Sequence, residues 1–224
     1  MNQFPSNFAH VVGKHIIYLL ATKSPPSLEG PEWENIFADA INGEWKPSAV
    51  GLDDVIKGNC AWSAKSVKND KPFSVGTVRL ISGRNSPEYS FPNIEDTDNG
   101  IGKQVLEIWN ARVDEIRNRY ANARTVVLVK GKGLTQCSVF EIETLRYQPK
   151  LFKWKRNIRN NLEGFERETG KHRFTWQPHG SQFTIIEDVP KKRLKFRVHI
   201  PPAPSIDQLL NSVGFDPSWI QIVK

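Results

Sequence analysis

Two adjacent carboxylates, Asp53 and Asp54, lie nine to twelve residues ahead of a hydroxyl, Ser63, and an ammonium, Lys65. The segment between them reads as a hairpin, with Ala49 to Ile56 as its first arm, Lys57-Gly58-Asn59 as its turn and Cys60 to Lys68 as its second arm. Side chains on a strand alternate between faces, so Ala61, Ser63, Lys65 and Val67 share one face and Cys60, Trp62, Ala64 and Ser66 the other. Lys65 is then presented beside Ser63, on a strand next to Asp54. A carboxylate that holds a hard divalent cation and an ammonium that meets attacking water or phosphate charge form the minimal apparatus for metal-assisted phosphodiester hydrolysis. The same two charges serve equally as an internal salt bridge near a sheet edge.

The flanking segments supply the elements that would position this hairpin. Residues 7 to 22 repeat apolar residues at helical spacing, with Phe8, Val12, Ile16 and Leu19 on one stripe and Val11, His15, Tyr18 and Thr22 beside it, up to Ser24-Pro25-Pro26. His10 and His15 on this helix are expected to be ordinary surface or packing residues. A second helix is expected after Gly30, with Pro31 in its first turn, Trp33, Phe37 and Ile41 packing, and a stop at Asn42-Gly43. Glu34 lies early on this helix, on a flanking face. Beyond the hairpin, Val75 to Ser82 reads as a third strand, Gly83 to Asn99 as an irregular exposed loop, and Gly100 to Ala121 as a long amphipathic helix with Arg112, Arg117 and Arg119 off its apolar stripe. Thr125 to Lys130 has the unbroken β-branched run of a central strand, and Cys137 to Leu145 alternates like a half-buried one.

Asp54 followed by Ser63-Ala64-Lys65, within this order of helix, strand, strand, strand, helix, strand, strand, resembles the signature of the PD-(D/E)XK nucleases, the superfamily that holds most type II restriction endonucleases. Its pattern places an Asp at the end of one strand and an acid-any-Lys triplet on the next. Asp53 stands where the pattern has Pro, and Ser63 where it has the second acid; some members recruit a carboxylate from the preceding helix, for which Glu34 is the candidate. The resemblance implies an α/β (α+β) fold in which a mixed central sheet is flanked by helices, a restriction endonuclease-like core over residues 1–145, and a basic, β-rich, DNA-contacting extension over 146–224 packed on the same core. It also implies a Mg²⁺ held by Asp54, alone or with Asp53, by Glu34 and by a main-chain carbonyl near Ala64. Lys65 would position or deprotonate the attacking water. Cleavage of double-stranded DNA leaving a 5′-phosphate, a homodimer acting at a short palindrome, and a prokaryotic cytoplasmic setting follow from the same resemblance. Which of Asp53 and Asp54 is the ligand stays open, with Asp54 preferred because it directly precedes the apolar pair Val55-Ile56.

Charge distribution points to a polyanion partner. Residues 1–145 carry 16 Lys and Arg against 17 Asp and Glu, whereas residues 146–224 carry 15 against 7, so the whole excess of a chain with net charge +7 sits in its last third. No lipidation signal or basic amphipathic anchor accompanies it, and the longest apolar run, His15 to Ala21, is too short to span a bilayer, so no membrane partner is expected. Two cysteines, Cys60 and Cys137, form no CxxC pair and suggest neither a zinc site nor a disulfide scaffold.

Within the last third, Lys153, Lys155, Arg156 and Arg159 interleave with Phe152 and Trp154, a mixture suited to phosphate contacts over aromatic packing. Arg173 to Thr184 reads as two strand arms around Gln177-Pro-His-Gly-Ser-Gln182. Arg173, Gln177, His179, Ser181 and Gln182 are therefore candidates for base-edge contacts, and the turn serves equally as a plain hairpin. Lys191, Arg193, Lys195 and Arg197 alternate along another strand, giving it a cationic face that would equally protect a sheet edge from aggregation. Ser205 is expected to cap a short helix, and the apolar tail from Phe215 to Val223 is expected to dock on the core or on a second subunit. Two other functions fit the same residues: a non-catalytic, sequence-specific DNA-binding protein, and a structure-specific or repair nuclease on the same fold.

Overall fold

The computed structural model describes residues 4–46 and 51–223; Ala49 and Val50 of the expected first hairpin arm lie outside these residues. The chain is mixed α and β, with five α-helices and two sheets among the described residues. Helix α1, Phe8–Thr22, buries Phe8, Val12, Ile16 and Leu19 at the expected spacing. Helix α2, Gly30–Ile41, is fixed at both ends. The Glu32 carboxylate accepts the Glu29 backbone N–H at 2.8 Å, and Asn42 takes the left-handed conformation, φ 58°, that releases the chain from the helix.

The first sheet has six strands in the order β1 (Glu44–Trp45), β2 (Val55–Lys57), β3 (Cys60–Lys68), β5 (Asn122–Lys130), β6 (Gln136–Glu143) and β11 (Leu194–Arg197). β2 and β3 form the expected antiparallel hairpin, with Lys57 opposite Cys60 across a turn in which Gly58 has φ +54°. β3 and β5 run parallel over nine paired positions, from Cys60 opposite Asn122 to Lys68 opposite Lys130. A parallel neighbour requires a crossover, and α4, Asp98–Arg119, provides it. Its first turn is capped by the Thr97 hydroxyl, which accepts from the Gly100 N–H at 3.0 Å.

The second sheet is antiparallel throughout, in the order β4 (Thr77–Arg84), β10 (Gln182–Asp188), β9 (His172–Gln177), β8 (Leu162–Glu166) and β7 (Phe152–Arg156). The third strand expected from the sequence thus exists, but outside the hairpin's sheet, because β3 already has β2 and β5 as its two neighbours. Each sheet also takes one strand from across residue 145: β4 from the N-terminal part joins the second sheet, and β11 from the C-terminal part joins the first. The stretch 83–99, expected to be irregular and exposed, contains the end of β4, the short helix α3 (Pro87–Ser90) and the fully buried Asn85. The Asn85 amide donates to Val105 O at 2.9 Å, and the Trp176 indole donates to Asn85 O at 2.7 Å, which fastens the segment to α4 and β9.

Three apolar clusters hold the layers together. α1 and α2 cover one face of the first sheet through Phe8, Trp33, Phe37, Trp62, Val126 and Val139. On the other face α4 lies between the sheets, its Val105, Trp109 and Val113 meeting Leu52 and Ala61 on one side and Trp154, Phe174 and Phe183 on the other. Where the helix ends laterally, the sheets touch directly through Val78 and Leu80 against Val127, Val129 and Phe140. α4 approaches the second sheet at a glycine: a Cβ at Gly102 would sit 2.3 Å from the Trp154 indole.

The C-terminal arm does not dock on this chain. α5, Ile206–Ser212, is capped by Ser205 as expected, with the Gln208 N–H donating to the Ser205 hydroxyl at 3.1 Å, but it buries no residue. Trp219, Ile220, Ile222 and Val223 are exposed.

Candidate active site

The hairpin presents its two faces as strand alternation requires. Cys60, Trp62 and Ala64 enter the cluster under α1 and α2, while Ala61 enters the cluster around α4. Ser63 and Lys65 follow Ala61 and line a void of about 20 Å³ between the two sheets. Such a space holds about one water. Its farther walls include Thr125, Thr144, Tyr147 and Glu187.

Asp54 stands directly before β2 and is 3% exposed. One of its oxygens, Oδ2, accepts the Ala64 N–H at 2.9 Å and the Ser63 hydroxyl at 3.2 Å. Burial pushes its pKa up to about 6; the Lys65 ammonium and the Ala64 N–H pull against that shift, and the nearby charge of Glu34 adds to it. Among the described residues the Lys65 ammonium has no hydrogen-bond or ion-pair partner, and its charge acts on Asp54. Asp53 is engaged differently: its Oδ2 lies 3.1 Å from Arg119 Nη1, at the end of α4. The structure therefore separates the two acids. Asp53 is neutralised by a helix-borne arginine, whereas Asp54 faces Ser63, Lys65 and Glu34.

Glu34 comes to this neighbourhood because α2 packs on β2 and β3, and its carboxylate accepts the Trp45 indole N–H at 3.2 Å. Asp54, Glu34 and the Ser63 hydroxyl are all hard oxygen donors. Among the described residues no group of three or more His, Cys, Asp and Glu side chains converges to hold a metal. Two carboxylates close enough for the charge of Glu34 to raise the proton affinity of Asp54 nevertheless fit one magnesium ion that retains several of its waters, the usual manner in which this cation is bound.

Two further groups at the site have no signal in the hairpin itself. Arg112, one face of α4 away from the apolar stripe, donates to Ser82 O at 2.9 Å; burial lowers its pKa while the charge of Asp54 raises it. On the far wall, Tyr147 donates to Glu187 Oε1 at 2.9 Å, and burial pushes the pKa of both groups up. A carboxylate ending the apolar run Thr184-Ile-Ile-Glu187 is the only trace of this pair in the sequence.

The DNA-contact candidates fall into three groups. Lys153, Lys155, Arg156 and Arg159 are exposed on and beyond β7, the edge of the second sheet, while Phe152 and Trp154 are buried beneath them. Lys155 lies over the Phe165 ring, 4.5 Å from its centroid, and Arg156 pairs with Asp98 at 2.9 Å. Gln177, His179, Ser181 and Gln182 form the β9–β10 turn, with Gly180 at φ +82° and Ser181 at φ +53°. Lys191 and Lys195 are exposed beside and on β11, the edge of the other sheet.

Two arginines from the same set are drawn inward instead. Arg173 is held by Glu166 at 2.7 Å and Glu187 at 3.3 Å. Arg193 donates to the carbonyls of Phe73 at 2.7 Å, Val75 at 3.2 Å and Pro190 at 3.0 Å. Alternation gives the side of a strand on which a guanidinium starts but not where its long stem carries the charge, so neither arginine presents a free fork to a base or phosphate.

No known family, curated protein or solved structure matches the chain. The physical arrangement is what remains to support a function: an acid and a lysine on one face of a hairpin, a parallel strand beside them, and a helix bearing two arginines over them.

Proposed function

We propose that the chain is a magnesium-dependent endonuclease of the restriction type, built on a PD-(D/E)XK-like core and cleaving double-stranded DNA at a short sequence as a homodimer. The observation that carries this reading is the juxtaposition of Asp54 and Lys65 across β2 and β3, with β5 parallel to β3 after a helical crossover. Strand β1, too short to be read from the sequence, pairs with β2 and completes a run of helix, three strands, helix and strand around the site if β4 is set aside as an insertion into the second sheet.

In this reading Asp54 and Glu34 hold the cation. Ser63 and the Ala64 N–H fix the orientation of the Asp54 carboxylate, so that Ser63 acts in place of the pattern's second acid only indirectly. Magnesium bound there supplies positive charge to the non-bridging and leaving oxygens of the phosphodiester. Lys65 meets the attacking water and holds it for in-line attack on phosphorus. Arg112 offsets the negative charge gathered around Asp54.

Access favours a second reading. Asp54 is 3% and Ser63 1% exposed, and the adjoining void admits only about one water, so a phosphodiester reaches Lys65 only if the wall opens. A non-catalytic DNA-binding protein needs no such opening. Incubation of a supercoiled plasmid with the wild type and with Asp54→Ala, in magnesium, separates the two. Nicking or linearisation by the wild type with binding alone by the variant supports the nuclease; binding by both with intact plasmid throughout supports the binding protein.

A further inference from the structure

Apart from the void beside Lys65, an open groove of about 710 Å³ runs along α4, closed on its other side by the chain between β6 and β7. Four cations line it, Lys103 from α4, Arg146 and Lys150 from the connecting segment, and Arg167 from the end of β8, against the single acid Glu107. Their existing partners are weak or peripheral. Lys103 lies 3.9 Å from Glu107, Arg146 pairs with Asp114 on the exposed side of the helix at 3.1 Å, and Arg167 uses Nε to reach Lys150 O at 3.0 Å. The floor is aromatic, formed by Tyr147 and Phe152.

The groove and the void share a wall. Tyr147 lines both, and its segment is fastened to α4 by Trp109 Nε1 donating to Leu145 O at 2.9 Å, by Asn110 Nδ2 donating to Tyr147 O at 2.7 Å, and by the Tyr147 N–H donating to Asn110 Oδ1 at 2.8 Å. One residue, Tyr147, therefore separates an open cationic groove from the space into which Lys65 points.

We infer that this groove seats the sugar-phosphate backbone of one strand of duplex DNA, with Lys103, Arg146, Lys150 and Arg167 as its phosphate contacts and Tyr147 as the partition between that strand and Lys65. The inference rests on the nuclease reading for what lies behind the partition, but not for the groove itself. Charge complementarity argues for the occupant: an open groove with cations from α4 on one side and from the connecting segment on the other, over an aromatic floor, suits a polyanion whose phosphates follow each other at regular spacing. None of these four residues belongs to the basic patch around β7, which continues the positive surface beyond Lys150.

The test is duplex-DNA binding by Lys103→Glu/Lys150→Glu, in EDTA, across a range of salt concentration, with cleavage in magnesium measured alongside. Both residues are exposed, and a thermal melt verifies the fold; Lys150→Gln alone serves as a milder second variant. The expected result is affinity weakened about tenfold or more, with the slope of log K against log salt shallower by about 2, while Lys195→Gln at the far edge of the other sheet has a smaller effect on affinity. Unchanged affinity and slope in the double variant overturn the groove, whatever the wild type does in magnesium. Weakened binding together with a wild type that never cleaves keeps the groove as a DNA site and removes the nuclease behind it.

Discussion

Asp54 carries the proposal at the scale of single residues, and its titration is a test independent of cleavage. Its folded-state pKa, about 6, lies above the usual carboxylate value of 3.8 because burial disfavours the charged form more than Lys65 and the Ala64 N–H favour it. A raised carboxylate pKa means that the folded chain binds the proton more tightly than the unfolded chain. The contribution of Asp54 to stability is therefore largest below about pH 4, declines as pH rises towards 6, and is unfavourable above it. Asp54→Asn removes that charge while its amide oxygen keeps an acceptor for the Ala64 N–H. In EDTA the variant is expected to be more stable than the wild type by roughly 1–3 kcal/mol at pH 8, and to lose that advantage by pH 4. Denaturant melts at the two pH values measure it; an Asn variant less stable than the wild type at pH 8 would contradict the assigned burial. The facing of Ser63 and Lys65 was legible because strand alternation needs nothing beyond the sequence. The difference between Asp53 and Asp54 was not, since it depends on Arg119, sixty-six residues away in sequence.

At the scale of elements, α4 determines whether the site exists, because it fills the space between the sheets and carries both Arg112 and Arg119. Gly102 is where this helix meets the second sheet most closely. Alanine is the better helix former by about 1 kcal/mol, but its Cβ would lie 2.3 Å from the ring of Trp154, itself 3% exposed. A buried indole has little room to yield, so the clash decides the sign. Gly102→Ala is expected to destabilise the protein by about 1–3 kcal/mol, read as a lowered thermal midpoint; an unchanged or raised midpoint would show that the helix and sheet are not in such contact. The existence and type of α1, α2, α4 and most strands followed from periodicity and caps. The partner of β4 did not, because an eight-residue strand alternating apolar and polar residues fits either sheet, and only the occupancy of both edges of β3 sends it to the second. Strand β1, two residues long, leaves no periodicity to read.

At the scale of the molecule, the excess positive charge of the last third is distributed over two sheets rather than gathered on one DNA-contacting surface. The β7 edge, the β9–β10 turn and the groove along α4 belong to the second sheet's side, while Lys195 lies on the last strand of the first. The C-terminal arm stands apart from both. Since α5 buries no residue, removing residues 200–224 is expected to change unfolding free energy by no more than about 0.5 kcal/mol. A larger loss in a denaturant melt would mean that the arm is held by contacts to this chain or to a second copy. Composition showed that the charge was there, but not that Arg173 and Arg193 face inward, because a count cannot distinguish a charge answered by Glu166, Glu187 or backbone carbonyls from one left to solvent.

The most direct test of the central claim is digestion of a mixed bacteriophage DNA by the wild type and by Lys65→Ala, each with magnesium and with EDTA. Discrete fragments from the wild type alone, and only with magnesium, are the predicted result, with activity of the variant reduced at least about a hundredfold. Intact DNA in every lane, accompanied by a mobility shift that weakens with salt, would contradict the account and leave the hairpin charges as a structural pair in a DNA-binding protein.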